Sequence, residues 1–356
     1  MRLAIISLKS ESSKLIEKEA RDLFKTVDFL DIRDIEISIT AKNTEILFKS
    51  KPLERYDCIY CRGSYKYANL LRSISYTLNK EAYMPISPEA FTIAHDKFLT
   101  LNCLQKNKIN VPKTHMAAKT SAAKKIIEDI YYPAIIKIPS GTHGKGVMFA
   151  DSIESAKSIL DALEVFRQPY MIQEYIETRS TDIRAFVIGE KVVCSMRRIG
   201  APNDRRANLH SGANGEPLIL DEESKELAIK SARAINTEIC GVDILQGANK
   251  KPVVIEVNIS PGLQGITKVT KKNVAYEIAK YLYEKSREFK KQEKSHDYNN
   301  VLNELDLNKK NEIITNLNMK AGIIKVPESI TRLSGLKPDD EVKISVKRNF
   351  IKIKKE

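Results

Sequence analysis

Three positions late in the chain have the residue types and spacing of a cation site. In VVIEVN (253–258) the apolar residues Val253, Ile255 and Val257 fall on one face of a strand, which leaves Glu256 and Asn258 together on the other. Asp243 stands thirteen residues before Glu256 in another short apolar run, and the intervening GANKKP reads as a hairpin turn that brings Asp243 alongside them. Two carboxylates and an amide, with no His or Cys among them, are hard oxygen ligands. They suit magnesium, which keeps several waters and completes its shell with nucleotide phosphates. On its own, a D…E-x-N hairpin is more often a set of solvated polar residues, so the remaining chain has to decide.

Cationic groups elsewhere point to an anionic ligand. Lys137 lies within the apolar run AIIKI, where an uncompensated ammonium is costly, so a phosphate is the expected partner. The following loop carries Gly141, Gly144 and Gly146, which let a backbone approach a triphosphate closely and present its amides. It is neither of two familiar phosphate motifs. A Walker loop needs Gly where Pro139 stands and Ser or Thr where Gly146 stands, and a dinucleotide fingerprint starting at Gly144 needs a small residue at Phe149. Further on, Arg197, Arg198, Arg205 and Arg206 crowd a loop-like segment that ends at Asn208. Arginine suits a bidentate grip on carboxylates and on a phosphoryl group in flight; the bland alternative is a solvated surface loop.

The elements that must position these groups follow from periodicity. Residues 1–90 alternate short strands and helical patterns (LAIISL, SSKLIEKEARDLF, DCIYCRG, YANLLRSISYTL, MPISPEAF), a small open α/β domain. HDKFLTLNCLQKNK is an amphipathic helix ended by Val-Pro; SIESAKSILDALEVF and LDEESKELAIKSARAI are two more, and RAFVIGEKVVCSM is a strand pair about a Gly-Glu turn. NVAYEIAKYLYEKSREFKKQ is a long closing helix, followed by a charged Asn/Lys-rich linker over 285–318. From Met319 the pattern changes to short β-like runs, GIIKV, EVKISV and FIKIK.

Composition bounds the class. The chain has 356 residues, 42% hydrophobic and 29% charged, enough for a large core and several domains. No apolar run is long enough to span a bilayer, the opening MRLAIISLKS reads as a first strand rather than a secretory signal, and a cytoplasmic protein is expected. Five scattered cysteines argue against a disulfide framework, and Cys58 and Cys61, in the strand-like YDCIYCR, read as core thiols because no second pair has metal-ligand spacing. The net charge of +13 fits a nucleic acid or a polyanionic substrate such as ATP, and it is split between body and tail rather than gathered in one basic arm.

The segment from Asp243 through ISPGLQG closely resembles the metal-binding end of ATP-grasp ligases, in particular the RimK type, which joins glutamate to other molecules. The likeness covers about residues 1–285 and is strongest in 171–265. It implies an α+β ATP-grasp fold over 91–284 behind an N-terminal α/β domain (1–90) on the acceptor side of the cleft. There Arg62 either faces the cleft or has only a surface or capping role. The resemblance further implies ATP and two magnesium ions, with manganese as a substitute, held by Asp243, Glu256 and Asn258. It places Lys97 and Lys137 near the nucleotide and Gly141, Gly144 and Gly146 in a lid over its phosphates. Glu174, Tyr175 and Ile176 fall at the adenine hinge, and Asp182 at the sugar. Arg197 and Arg206, with Ala207 and Asn208, line the acceptor and nucleotide sites. The implied reaction is ATP-dependent amide formation through an acylphosphate, with ADP and phosphate released. Glutamate is the expected amine, and the acceptor a protein tail or a glutamyl-bearing pterin or deazaflavin cofactor.

Residues 319–356 resemble the small swapped-hairpin module of the AbrB regulators. So short a segment falls below the size that folds alone, so pairing with a second copy, and hence a homo-oligomer, is expected. Contact with nucleic acid through this tail ranks below dimerisation, because Asp339, Asp340 and Glu341 sit among its basic residues. The rival reading is a DNA-binding regulator whose grasp fold only senses nucleotide.

Overall fold

The computed structural model describes residues 1–137, 146–165, 169–200, 214–247, 251–304, 318–320, 323–326, 334–337, 340–348 and 350–355, in two units, Met1–Lys291 and Gln292–Glu356.

The first unit opens with β1 (Arg2–Ser7), whose residues from Leu3 onward are all buried, then α1 (Glu11–Ala20) and β2 (Thr26–Asp31). Ser10 caps α1 by accepting from the Ser13 amide, so the helix starts where an Ser side chain replaces its missing carbonyl partner. β6 (Cys58–Cys61) joins the other side of β1, giving a parallel sheet in the order β2-β1-β6. Between them, β3 (Ile35–Ile39), β4 (Thr44–Phe48) and β5 (Lys51–Pro52) form a separate antiparallel sheet, an excursion the sequence reading did not include. Cys58 and Cys61 are buried free thiols, and burial pushes Cys58 up to about 12. Helices α2 (Ala68–Leu78), α3 (Pro88–Ile93) and α4 (Lys97–Lys106) lead out of this domain.

Next come β7 (Thr114–Ala117), α5 (Thr120–Glu128), β8 (Ala134–Lys137), β9 (Val147–Ala150), α6 (Ile153–Glu164) and β10 (Tyr170–Glu174). They build a four-stranded antiparallel sheet, β7-β10-β8-β9. α5 and α6 close a small core of their own over it, including Ala123, Ile127, Ile136, Leu160 and Ile172. α5 escaped the sequence reading; it starts without a side-chain cap.

The larger sheet is β13-β12-β11-β14-β15, antiparallel throughout, from β11 (Thr181–Ile188), β12 (Lys191–Ile199), β13 (Asn214–Pro217), β14 (Ile239–Leu245) and β15 (Val253–Asn258). The β11–β12 turn falls at Gly189, whose φ of +58° favours glycine and whose missing Cβ leaves room for the Tyr281 ring. α7 (Glu222–Ile235) carries Asp221 as its N-cap, and α8 (Gln264–Thr270) and α9 (Val274–Glu304) follow the last strand. One continuous core joins β1 and β6 to this sheet: Leu3, Ile5, Phe91, Phe186, Val242 and Leu282 belong to the same buried cluster.

In the second unit β16 (Asn318–Lys320) pairs with β17 (Ile323–Lys325), and β18 (Val342–Lys347) with β19 (Phe350–Lys355). Among the described residues no helix is long and apolar enough to cross a membrane.

Candidate active site

β14 and β15 pair with Asp243 directly opposite Glu256, and Asn258 lies two residues further along β15. Directly opposed residues share a sheet face, as do residues two apart, so the three side chains project to one side. The expected hairpin is therefore present, with a register shift just after Asp243.

Asp243 is buried and gripped by arginine. Arg184, across from it on β11, donates from Nε to Oδ1 and from Nη2 to Oδ2 at 2.7 Å, while Arg198 Nη2 on β12 reaches Oδ2 at 2.8 Å. Arg198 also holds both oxygens of Asp182, with Nη2 2.7 Å from Oδ2. Two acids and two guanidiniums thus form a buried chain, Arg184–Asp243–Arg198–Asp182. Burial pushes Asp243 up, but the two guanidiniums prevail and hold it below the ordinary carboxylate value. For Asp182 burial prevails, aided by the charge of Asp243, and raises it to about 6. Asp182, expected at the nucleotide sugar, here has both oxygens committed to Arg198.

Glu256 is different. It is exposed, and among the described residues no hydrogen bond or ion pair holds it. Its charge reaches Lys137, the last residue of β8 in the smaller sheet. Lys137 Nζ donates to Gln173 Oε1 at 2.7 Å, and Gln173 in turn donates to Thr114 Oγ1 at 2.8 Å. Burial lowers the Lys137 ammonium to about 8; the nearby positive charge of Lys97 pushes the same way, and Glu256 opposes both. Lys97 opens α4 directly after its N-cap Asp96. Lys97 and Glu256 therefore each lie within electrostatic reach of Lys137, although the three come from separate elements.

Among the described residues no three His, Cys, Asp or Glu side chains gather as a metal cluster. The oxygen set is instead two carboxylates and an amide. The fit to a hard cation rests on Glu256, whose oxygens are open, and on Asn258, whose Oδ1 accepts one bond from the Ser260 amide at 2.9 Å and keeps a second lone pair. Asp243 accepts three bonds from its arginine partners, which leaves one further lone pair, on Oδ1, to share.

The remaining expected residues fall as follows. Glu174 ends β10; its amide donates to the Lys113 carbonyl at 2.9 Å and its carboxylate accepts from the Lys113 amide at 2.7 Å. β10 is an interior strand of its sheet, not an edge. Tyr175 follows it and meets the Phe149 ring edge-to-face at 6.0 Å. Gly146 enters β9 with φ +77°. Gly141, Gly144, Arg205, Arg206, Ala207 and Asn208 lie outside the described residues. The loop-like reading of Arg197 and Arg198 is corrected: both belong to β12, where strand alternation puts them on opposite faces. Arg198 joins the buried acids, whereas Arg197 pairs with Glu216 Oε1 at 2.6 Å in an exposed position. Arg184 went unnoticed in the sequence. The signal was the D-x-R spacing of Asp182 and Arg184, which places both on the Asp243 side of the sheet.

Comparison with known proteins places the chain in a family. The family profile of the RimK-like ATP-grasp domain matches residues 94–282. A protein of Picosynechococcus described as a "Probable alpha-L-glutamate ligase" is 32% identical over 290 residues, covering 79% of this chain and 95% of that protein. One from Vibrio atlanticus with the same description is 33% identical over 296 residues, covering 79% and 95%. Among solved structures, the ATP-grasp ligase PsnB complexed with minimal precursor, Mg and ADP superposes with a TM-score of 0.64 at 16% identity, covering 80% of this chain and 98% of that one. A RimK domain protein from Sphaerobacter thermophilus gives 0.62 at 17%, covering 79% and 99%. The profile spans more than half of the residues and the sequence relatives almost four-fifths, so the chain belongs to the RimK-like ATP-grasp family and is an ATP-dependent amide-forming ligase.

Proposed function

We propose that the enzyme adds L-glutamate to a carboxylate acceptor through an acylphosphate, releasing ADP and phosphate. The observation that carries this reading is the strand register that sets Glu256 opposite Asp243, with the Glu256 carboxylate in electrostatic reach of the Lys137 ammonium, which also feels Lys97. The lysines suit a triphosphate, and Asp243, Glu256 and Asn258 suit the magnesium that accompanies it. Bound magnesium, or manganese in its place, neutralises phosphate charge as it develops during transfer. In the reaction a carboxylate oxygen of the acceptor forms a bond to the γ-phosphorus while the bond to the ADP oxygen breaks. The amine nitrogen of glutamate then bonds to the acyl carbon, and phosphate leaves with the bonding pair. The chain's own part is positioning and electrostatics: Lys137, steered by Gln173, and Lys97 hold phosphate oxygens. Arg206 steadies a carboxylate or the oxyanion, whereas Arg197, on the other face from Arg198 and paired with Glu216, has no such part; Tyr175 with Glu174 borders the base, and Gly141, Gly144 and Gly146 cover the phosphates.

Glutamate as the amine is supported by the glutamate-ligase relatives; the acceptor is a protein tail ending in Glu or a glutamyl-bearing small cofactor. Five free cysteines suit the reducing cytoplasm. The tail, read as an AbrB-like module, pairs two copies of the enzyme. Its support is the hairpin β18–β19, where Ile344 opposes Ile353 and Val346 opposes Ile351, an apolar stripe left exposed. The test is incubation with ATP, magnesium, each amino acid in turn and a cell extract, followed by mass spectrometry. An acceptor that gains the mass of one glutamyl residue only when ATP, magnesium and glutamate are all present is the expected result; a gain with another amino acid would overturn the choice of glutamate.

A further inference from the structure

The loop that leaves the Glu256–Asn258 strand is tied to the N-terminal domain by a set of bonds that packing does not require. Arg62, next after β6, is 3% exposed, and its Nη2 donates to the Pro261 carbonyl at 2.7 Å. The neighbouring Gly63 amide donates to Ser260 Oγ at 3.1 Å. From α1, Ser12 Oγ accepts from the Leu263 amide at 2.9 Å and donates to Gln264 Oε1 at 2.9 Å. Four bonds thus grip Ser260, Pro261, Leu263 and Gln264, from residues about two hundred positions or more away in sequence.

Arg62 is an unusual choice for such a place. Among the described residues no carboxylate pairs with it and its Nε has no hydrogen-bond partner; its Nη1 donates to the Tyr60 hydroxyl at 3.1 Å and the guanidinium lies 5.6 Å from the centre of the Tyr60 ring. A buried cation without a counter-ion is costly, and an apolar side chain fills space at less cost. What the guanidinium adds is direction, because its planar fork fixes the carbonyl it binds. That direction reaches the site by two routes. The Ser260 amide donates to Asn258 Oδ1 at 2.9 Å, so the loop sets the amide orientation of Asn258. Pro261 also packs at Gly241, where an added Cβ would come within 3.2 Å of the proline Cβ and 3.0 Å of Arg184 Cδ. The loop and the stem of the arginine that grips Asp243 thus both lie against Gly241.

We propose that Arg62 is a positioning residue: with Ser12 and Gly63 it clamps the Ser260–Gln264 loop and thereby aims the Asn258 amide oxygen and steadies the Arg184–Asp243 pair. This rests on the magnesium reading of Asn258 given above. The test measures, by calorimetry on the full chain, how much magnesium chloride tightens binding of the ATP analogue AMPPNP, together with hydrogen exchange at the Ser260 and Leu263 amides. Arg62→Met is expected to reduce the magnesium-dependent gain by roughly 10- to 100-fold, as loss of partners that orient metal ligands does, and to speed exchange at both amides at least about tenfold. Arg62→Lys restores part of each. Combined with Asn258→Ala, Arg62→Met should add little further loss, because both act through one amide oxygen; effects that multiply would overturn the proposal. If Arg62→Met does not fold, Ser12→Ala and Ser260→Ala take its place, with the same expected exchange. An unchanged magnesium gain in Asn258→Ala would remove the magnesium reading instead, and the exchange rates alone would then decide: unaltered exchange in the clamp variants overturns the clamp.

Discussion

The two sheets that meet at the site carry opposite charges and are prepared to different degrees. On the large sheet the acids are already partnered: Asp243 and Asp182 are locked by Arg184 and Arg198 into a buried chain. On the small sheet, among the described residues, the hydrogen-bond partner of Lys137 is the neutral Gln173 amide, and burial has lowered its affinity for its own proton. One side is fixed before anything binds; the other, in the function proposed above, is completed by an anion. Glu256 lies between these regimes, anchored in the rigid sheet yet open to solvent and felt by Lys137. A rigid carboxylate frame with a cation opposite that is held by a neutral amide suits a ligand that is itself a cation–polyanion pair.

The comparison breaks most visibly at Glu256. Glu256→Gln should lower turnover by about 100-fold or more, since it removes a charge from the proposed metal set, while the melting temperature stays close to that of the parent, because the side chain is exposed. Turnover near normal with unchanged magnesium dependence would sink the assignment. Next comes Arg184→Met, which leaves the buried Asp243 with one guanidinium instead of two. Unfolding in denaturant should show a loss of roughly 3 kcal/mol, as expected when one partner of a buried ion pair is removed. Loss of nucleotide binding without loss of stability would show that the frame is not fixed in advance.

Smaller effects are expected on the cationic side. Lys137→Met should weaken AMPPNP binding about tenfold or more and leave stability unchanged or slightly raised, because it removes a buried ammonium that no carboxylate among the described residues pairs with. The pH dependence has a definite sign. Lys137 stands at about 8 in the free protein against an ordinary 10.5. Below pH 8 both folded and unfolded chains hold the proton, and the cost of burying the charge is fully present. Between pH 8 and 10.5 the unfolded chain binds more protons, so this group makes the free protein more stable as pH rises. Nucleotide affinity should run the other way and fall over the same window, by no more than about tenfold per pH unit; in Lys137→Met both slopes should vanish. The smallest effect belongs to the tail: deletion of residues 310–356 should halve the mass in solution and leave the ligase rate within about twofold. Retained mass with lost chemistry would reverse that assignment.

Much of this frame was legible in the sequence because strands announce their faces. Strand alternation sets Glu256 and Asn258 on one side and Val257 on the other, as the structure has it. The expected face of Val253, Ile255 and Val257 is only partly right: the register shift beside Asp243 breaks the alternation, and Val254 is buried with Val257 while Val253 and Ile255 are half-buried. The partners of Asp243 were harder to see. Adjacent Arg197 and Arg198 look equivalent in a string of basic residues, but one strand step separates an exposed ion pair from a buried one. The antiparallel excursion of residues 35–52 and the helix at Thr120–Glu128 offered only short, weakly capped patterns. Arg62 was read as a cleft or surface residue; its burial depends on a loop about two hundred residues away, which no local pattern encodes.

The central claim is that the acidic frame and the two lysines hold a nucleotide triphosphate for transfer of its terminal phosphoryl group. The most direct measurement is phosphorus NMR of the nucleotide products during turnover with magnesium, glutamate and an acceptor-containing extract, with hydroxylamine added in a parallel sample. The account expects ADP and phosphate in step with amide formation, and a hydroxamate of the acceptor when hydroxylamine is present. Appearance of AMP and pyrophosphate would contradict it.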